Sequence, residues 1–231
     1  MAILEINNLS KNFGGVQPIS NLSLNISEGT ITGIIGSNGT GKTTLINLIS
    51  GTLSSECGTI AINGKTVNNE KPWIIARAGV VRTFQSTRLF EQMTVLDNVL
   101  TVMTEKNVLG SLFGQRRSRY SEEAKNALAR VGLLEKENQL VTNLSYGQRR
   151  LLEIARILVS DAKIILLDEP FSGVYPAMVQ TVAEILKELK SQGKTMILIE
   201  HNLEMMRQLC DYLFTMPGNQ LFPINEMRWE S

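Results

Sequence analysis

Leu22, Leu24 and Ile26 alternate with Asn21, Ser23 and Asn25, the period of two expected of a strand with one buried face. Ahead of them, Ile3 to Leu9 has the composition of a first strand, and Phe13 follows beside the Gly14-Gly15 turn. Thr30-Ile31-Thr32-Gly33-Ile34-Ile35 is β-branched and apolar without strict alternation, which suits a strand covered on both faces. Leu45-Ile46-Asn47-Leu48-Ile49 has the composition of a buried helix, and Gly58 to Gly64 is a short alternating strand between turn residues. Pro72 can open a short helix through Ile74, Ile75 and Ala76, and Val80 to Phe84 reads as a strand ending at Gln85.

From Ser86 to about Asn143 strand signals vanish. Thr94 to Thr104 places Val95, Leu96, Val99, Leu100 and Met103 on one helical face. Ser121 precedes Glu122-Glu123 and the apolar positions Ala124, Ala127, Leu128 and Val131, a capped amphipathic helix closed by Gly132. Between the two, Arg116, Arg117 and Arg119 form a small basic loop, open to reading as a solvated loop or as a lipid or partner contact. Leu144-Ser145-Tyr146-Gly147-Gln148 then leads into a helix carrying Leu151, Ile154, Ala155 and Leu158. Ile164 to Leu167 is a fully apolar strand ending in Asp168-Glu169-Pro170, Pro176 opens a helix closed by Gly193, and Met196 to Glu200 is a buried strand ending at His201. After Met216 no element is apparent.

Strands alternating with helices predict an α/β fold with a mostly parallel sheet. The expected organisation is a single domain over 1–231. Residues 1–85 and 144–216 make its core with an antiparallel β part, 86–143 a helical subdomain, and 217–231 an atypical tail. Composition narrows the picture further. A formal net charge of +1 argues against a general nucleic-acid binder, because no basic excess is present to neutralise phosphates. No apolar run approaches the ~20 residues a membrane helix needs, and Met1 to Glu5 lacks the features of a signal peptide. Cys57 and Cys210 lie far apart without metal-ligand spacing, so reduced thiols are expected.

The chemistry concentrates at strand ends. Gly36-Ser37-Asn38-Gly39-Thr40-Gly41-Lys42-Thr43-Thr44 fits G-x-x-x-x-G-K-[ST] between a strand and a helix, the context that separates a phosphate-binding loop from a chance glycine-rich turn. Backbone N–H groups and the helix dipole would hold a phosphate, Lys42 would reach the β and γ phosphates, and the Thr43 hydroxyl would bind Mg²⁺. Ligands of parallel sheets sit at the strand carboxyl ends, where Gly36, Gln85, Asp168 and His201 all fall. Asp168 is suited to hold Mg²⁺ through water, and Glu169 beside it to take a proton from an attacking water. A lone histidine more often packs or caps. His201 is the chain's single histidine and sits at this active edge, which favours contact with the γ-phosphate.

The phosphate loop, Gln85, the Leu144-to-Gln148 pentapeptide, the apolar-Asp-Glu-Pro strand and His201, in that order, resemble the nucleotide-binding subunit of an ABC transporter from about Leu4 to Met216. The pentapeptide is the most specific part, since other phosphate-loop enzymes lack it. The resemblance implies a phosphate-loop NTPase core carrying antiparallel β and helical subdomains, and a family-level ATPase activity. It also implies that Phe13 stacks on adenine and that Gly36, Asn38, Gly39, Thr40, Gly41, Lys42, Thr43 and Thr44 bind the nucleotide. Gln85 would sense Mg²⁺, belong to the catalytic set with Glu169 and His201, and couple to the membrane subunit. Thr43, Gln85 and Asp168 would be the metal residues. Ser145 and Gly147, with Gln148, would bind the γ-phosphate of ATP held by the opposite subunit, so that two chains sandwich two nucleotides.

A finer resemblance lies in Arg77 to Gln85, Arg88-Leu89-Phe90 and Met93-Thr94-Val95, with Tyr146 and Glu153-Ile154-Ala155-Arg156 in agreement. It is similar to the ATPase subunits of branched-chain and related amino-acid importers. That implies ATP and Mg²⁺, transmembrane permease subunits, a second ATP-binding subunit, indirectly a periplasmic or extracellular solute-binding protein, and a peripheral position on the cytoplasmic face of the membrane. Tyr175 departs from the family's usual acidic or amide residue, which implies weakened communication between two ATP sites or a neutral replacement in a tolerant loop. A kinase for a small metabolite would leave the pentapeptide and Glu169 unexplained. Soluble ABC proteins acting on ribosomes or DNA usually carry two cassettes, whereas each motif occurs once here. An exporter of lipid or polysaccharide is the nearest alternative among transporters.

Overall fold

The computed structural model describes residues 2–83, 88–103 and 114–224, with 114–118 described in backbone only. The chain divides into two compact units, one of residues 1–82, 162–169 and 188–231, the other of residues 83–161 and 170–187.

The first unit holds two sheets. β1 (Ala2–Phe13), β2 (Val16–Ser27), β4 (Cys57–Ile62) and β5 (Lys65–Thr66) form an antiparallel sheet in the order β2-β1-β4-β5. β1 and β2 run well beyond the alternating stretches in the sequence because each changes register at an asparagine. Asn8 and Asn21 both have φ 50, and the register slips between Ile6 and Leu9 on one strand and around Ile19 and Leu22 on the other. Asparagine tolerates this left-handed conformation, and the bulge returns Leu9 and Leu22 to the buried face.

The second sheet contains β3 (Ile31–Ile35), β6 (Val80–Arg82), β7 (Ile164–Asp168), β8 (Thr195–Ile199), β9 (Tyr212–Thr215) and β10 (Phe222–Pro223), in the order β10-β9-β3-β8-β7-β6. All neighbours are parallel except β10, which pairs antiparallel with β9. β7 and β8 are buried at every position, as the unbroken apolar runs require of strands covered on both faces. α1 (Lys42–Ile49) places Leu45, Ile46 and Ile49 in the same apolar cluster as Ile6 and Leu24 of the first sheet and Leu166 and Ile197 of the second. α2 (Pro72–Arg77) precedes β6 in this unit.

The second unit is helical. α3 (Val95–Leu100), α4 (Gly114–Arg130) and α5 (Tyr146–Leu158) pack on one another around Val99, Ala124, Leu128, Leu152 and Ala155. α6 (Pro176–Ser191) begins in this unit and continues into the first, where α7 (Leu203–Leu209) follows β8.

Several elements differ from the sequence expectation. Ser121 is not a cap: α4 starts at Gly114, so Ser121 lies inside it, and Arg116, Arg117 and Arg119 are helical rather than in a loop. β9 and the two-residue β10 occupy stretches where no strand was expected, and β10 lies within the presumed structureless tail. No helix among the described residues is long and apolar enough to cross a membrane.

Candidate functional site

β3, β8 and β7 are parallel neighbours, so the residues that follow them leave the sheet along one edge. After β3 comes the glycine loop. A Cβ on Gly36 would lie 2.5 Å from the Met216 carbonyl oxygen, and one on Gly41, at φ +103, 2.3 Å from that of Pro18. Backbone from two other segments therefore seats against the loop where only hydrogen fits. Gly41 is also the N-cap of α1, which has no side-chain cap and no acidic residue in its first turn. The first amides of a helix have no intrahelical acceptor, so this terminus is an anion site in form.

Lys42, though in the first turn of that helix, is 5% exposed and bends back over the loop. Its Nζ donates to the carbonyls of Gly36 and Ser37, both at 2.7 Å. Burial lowers its pKa from the ordinary lysine value, while the charges of Glu169 and Asp168 act in the opposite sense. Thr40 Oγ1 donates to the Ser37 carbonyl at 3.0 Å, closing the loop from the other side. Asn38 and Gly39 are exposed at its tip, and Thr43 and Thr44 are half-buried on α1.

Asp168 ends β7 and is almost wholly buried. Glu169 then takes φ 51, a left-handed conformation that costs a non-glycine residue on the order of 1 kcal/mol. Its N–H donates to the Ile199 carbonyl at 3.0 Å, which extends the β7–β8 ladder and fixes the turn. The strain turns the carboxylate toward the end of β8, where Glu169 Oε1 lies 3.0 Å from His201 Nε2. His201 immediately precedes Asn202, whose side chain caps α7 by accepting from the Met205 N–H.

Arg82 at the end of β6 belongs to this centre, a role the sequence reading did not assign it. Its Nη2 is 3.9 Å from Asp168 Oδ2, and its Nη1 donates to Asn47 Oδ1, Ser50 Oγ and Thr52 Oγ1. The guanidinium thus ties the far end of α1 to the buried carboxylate. A charged residue after Val80-Val81 in an otherwise apolar strand was the available signal. Gln85 lies outside the described residues. Phe13 stands half-exposed at the end of β1 in the other sheet, with the Lys11 ammonium 5.1 Å from its ring centroid.

Ser145, Gly147 and Gln148 belong to the second unit. Ser145 is the N-cap of α5: its Oγ accepts from the Gln148 N–H at 3.3 Å, and Gln148 Oε1 accepts from the Ser145 N–H at 3.0 Å. This is a complete capping box. Gly147 has a packing requirement of its own, since a Cβ there would lie 2.2 Å from the Gly173 carbonyl oxygen. Tyr175, in the same loop, is 74% exposed.

The family model described as "ABC transporter" matches residues 19–172. The chain is 36% identical to the high-affinity branched-chain amino acid transport ATP-binding protein LivG of Salmonella typhimurium, over 96% of this chain and 90% of that protein. It is 35% identical to the corresponding protein BraF of Pseudomonas aeruginosa, over 91% and 86% of the two chains. Among solved structures, the ADP conformation of an ATP-binding cassette of an ABC transporter superposes with a TM-score of 0.80 at 34% identity, over 96% of this chain and 90% of that one.

Proposed function

This chain belongs to the ABC transporter family, and from that premise we propose that it is the ATP-binding and ATP-hydrolysing subunit of an importer for branched-chain or other neutral amino acids. The observation that carries the reading is the 36% identity to a branched-chain amino acid transport ATP-binding protein over 96% of this chain, supported by the Glu169–His201 pair at the strand ends and a phosphate-loop lysine that feels both Glu169 and Asp168.

On this reading the first amides of α1 and the backbone of Gly36, Asn38, Gly39, Thr40 and Gly41 receive the β and γ phosphates. Lys42 exchanges its two carbonyl acceptors for phosphate oxygens, which releases the loop from its self-closed form. Among the described residues no three His, Cys, Asp or Glu side chains cluster to hold a metal. The oxygen donors Thr43 and Asp168 nevertheless suit Mg²⁺, a hard cation that takes few protein ligands and keeps water and phosphate oxygens. Bound there, with Gln85 as the further metal residue that the family resemblance implies, Mg²⁺ would offset charge building on the phosphates.

Glu169 accepts the proton of the attacking water. Its contact with His201 holds the carboxylate at the sheet edge until nucleotide binds, and His201 then turns Nε2 toward the γ-phosphate. Phe13 offers a face to adenine. Ser145, Gly147 and Gln148 address the γ-phosphate of a nucleotide on a second ATP-binding subunit, and the α5 terminus adds its partial positive charge. The partners on this reading are transmembrane permease subunits and, indirectly, a periplasmic or extracellular solute-binding protein, with the chain peripheral on the cytoplasmic membrane face.

Energised vesicles from cells with and without the gene test the substrate class. ATP-dependent uptake of labelled leucine should be lost with the gene. Unchanged leucine uptake, with transport of some other solute abolished, would overturn the assignment.

A further inference from the structure

The second unit contains a line of polar contacts, buried at its Arg150–Glu153 centre and running out to the half-exposed Tyr146, that nucleotide chemistry does not account for. Arg150 is 1% exposed and Glu153 nearly as buried, on one face of α5. Arg150 Nη1 donates to Glu153 Oε2 at 3.0 Å, and its Nη2 donates to the Tyr146 hydroxyl at 3.0 Å. The same guanidinium lies 5.4 Å from the Tyr146 ring centroid. Burial raises the Glu153 carboxyl above the ordinary glutamate range, and the Arg150 charge works against it. An apolar pair of equal volume would often stabilise such a helix as well or better. Stability alone therefore does not explain why two charges sit here.

Each end of the line grips a loop. At one end Glu153 Oε1 accepts from the Arg88 N–H at 3.4 Å, while Arg156, one turn on, donates to the Arg88 carbonyl at 3.1 Å. Both sides of that residue's backbone are therefore held by α5, beside the exposed Phe90 ring that Arg156 also faces at 5.9 Å. At the other end a Cβ on Gly173 would lie 2.5 Å from the Tyr146 ring, and one on Gly147 2.2 Å from the Gly173 carbonyl oxygen. Tyr146 and Gly147 thus interlock with the loop that carries Tyr175, and the contact has no slack. The Ser145 capping box lies at this second end, next to Tyr146 and Gly147.

We propose that Tyr146, Arg150 and Glu153 form a positioning relay along α5, which joins the backbone at Arg88 to the loop at Gly173. A displacement at either end is passed to the other and to the Ser145 turn. The physical warrant is a contiguous chain in which every member is used twice. Arg150 forks between Glu153 and Tyr146, Glu153 splits its oxygens between Arg150 and Arg88, and Tyr146 gives its hydroxyl to Arg150 and its ring to Gly173. These residues act through the groups they hold.

Amide hydrogen exchange on the full chain, read by mass spectrometry, tests the relay. Tyr146→Phe removes one hydroxyl and leaves the ring on Gly173. Exchange at residues 88–90, at the opposite end, should rise roughly two- to tenfold, the size expected when one part-buried hydrogen bond is lost from a local opening equilibrium. Arg150→Met combined with Glu153→Leu should keep the melting temperature within about 3 °C, yet raise exchange at 88–90 and at 172–175 together. Changes confined to α5, or to the substituted end alone, would overturn the proposal. If the double variant does not fold, Tyr146→Phe decides the matter, since unaltered exchange at 88–90 in that variant contradicts the relay.

Discussion

The two units present helix N-termini in opposite ways. α1 begins on a glycine with φ +103, without a side-chain cap, and its loop is closed by Lys42 reaching back to the Gly36 and Ser37 carbonyls and by the Thr40 hydroxyl on Ser37. α5 begins on Ser145 with a full capping box, so the Gln148 and Ser145 amides already have acceptors in the chain. One terminus has no side-chain cap, and the other has one. The contrast teaches that a helix end proposed to meet a phosphate need not be an empty one. For Ser145 to address a phosphate, it must exchange a cap it already has, whereas α1 gains acceptors it lacks.

The comparison can be broken most severely at the open end. Glu169→Gln should lower ATP turnover by about 10²–10⁴-fold while equilibrium ATP binding persists, since the loop and Lys42 are untouched. Near-normal turnover in the purified variant would remove Glu169 as the base. Alanine at the two tight glycines comes next. Gly41→Ala and Gly147→Ala each force a Cβ to within 2.3 Å of a carbonyl oxygen, and each should cost a few kcal/mol in thermal or urea unfolding, on the order of 2–4. Gly41→Ala should abolish nucleotide binding as well, whereas Gly147→Ala should leave single-chain ATP affinity near normal. Equal loss of ATP affinity in both would erase the distinction between the units.

The smallest effect sharpens it. Without nucleotide, Ser145→Ala should destabilise the chain by about 1 kcal/mol, the usual worth of an N-cap. Thr43→Ala, at the uncapped end, should change ligand-free stability by less than about 0.5 kcal/mol. With ATP and Mg²⁺ present the order should reverse, and the Thr43 variant should lose most of the stabilisation that ligand gives. A melting series with and without nucleotide checks both halves.

What the sequence disclosed follows from how local each signal is. The phosphate loop, β7 and β8 were legible because the chemistry and the buried run sit within a few consecutive residues. β1 and β2 were underestimated because Asn8 and Asn21 interrupt the period of two with bulges. β9 is short and largely not buried, and β10 pairs only two residues, so neither carries a pattern of its own. The capping signal at Ser121 gave way to a helix that starts earlier. Ser145 and Gln148 read as phosphate ligands, although their spacing also spells a capping box, and the structure supplies that second meaning. Arg82 and Glu153 were visible as parts of the family resemblance and Arg150 as one of two adjacent arginines, but none of the three by its partners. Arg82 finds Asp168 and Asn47, and Glu153 finds Arg88, across separations that no local pattern encodes.

If the open terminus of one chain and the capped terminus of another share a nucleotide, each chain alone holds only half of each site. Lys42→Ala disables the first half and Ser145→Arg the second, so each variant purified by itself should hydrolyse no ATP above background. Mixed and allowed to exchange partners, they should regain ATPase activity, because every mixed pair contains one intact Lys42 facing one intact Ser145. A mixture no more active than its separate components would contradict the shared site and leave the capping box as the whole purpose of Ser145.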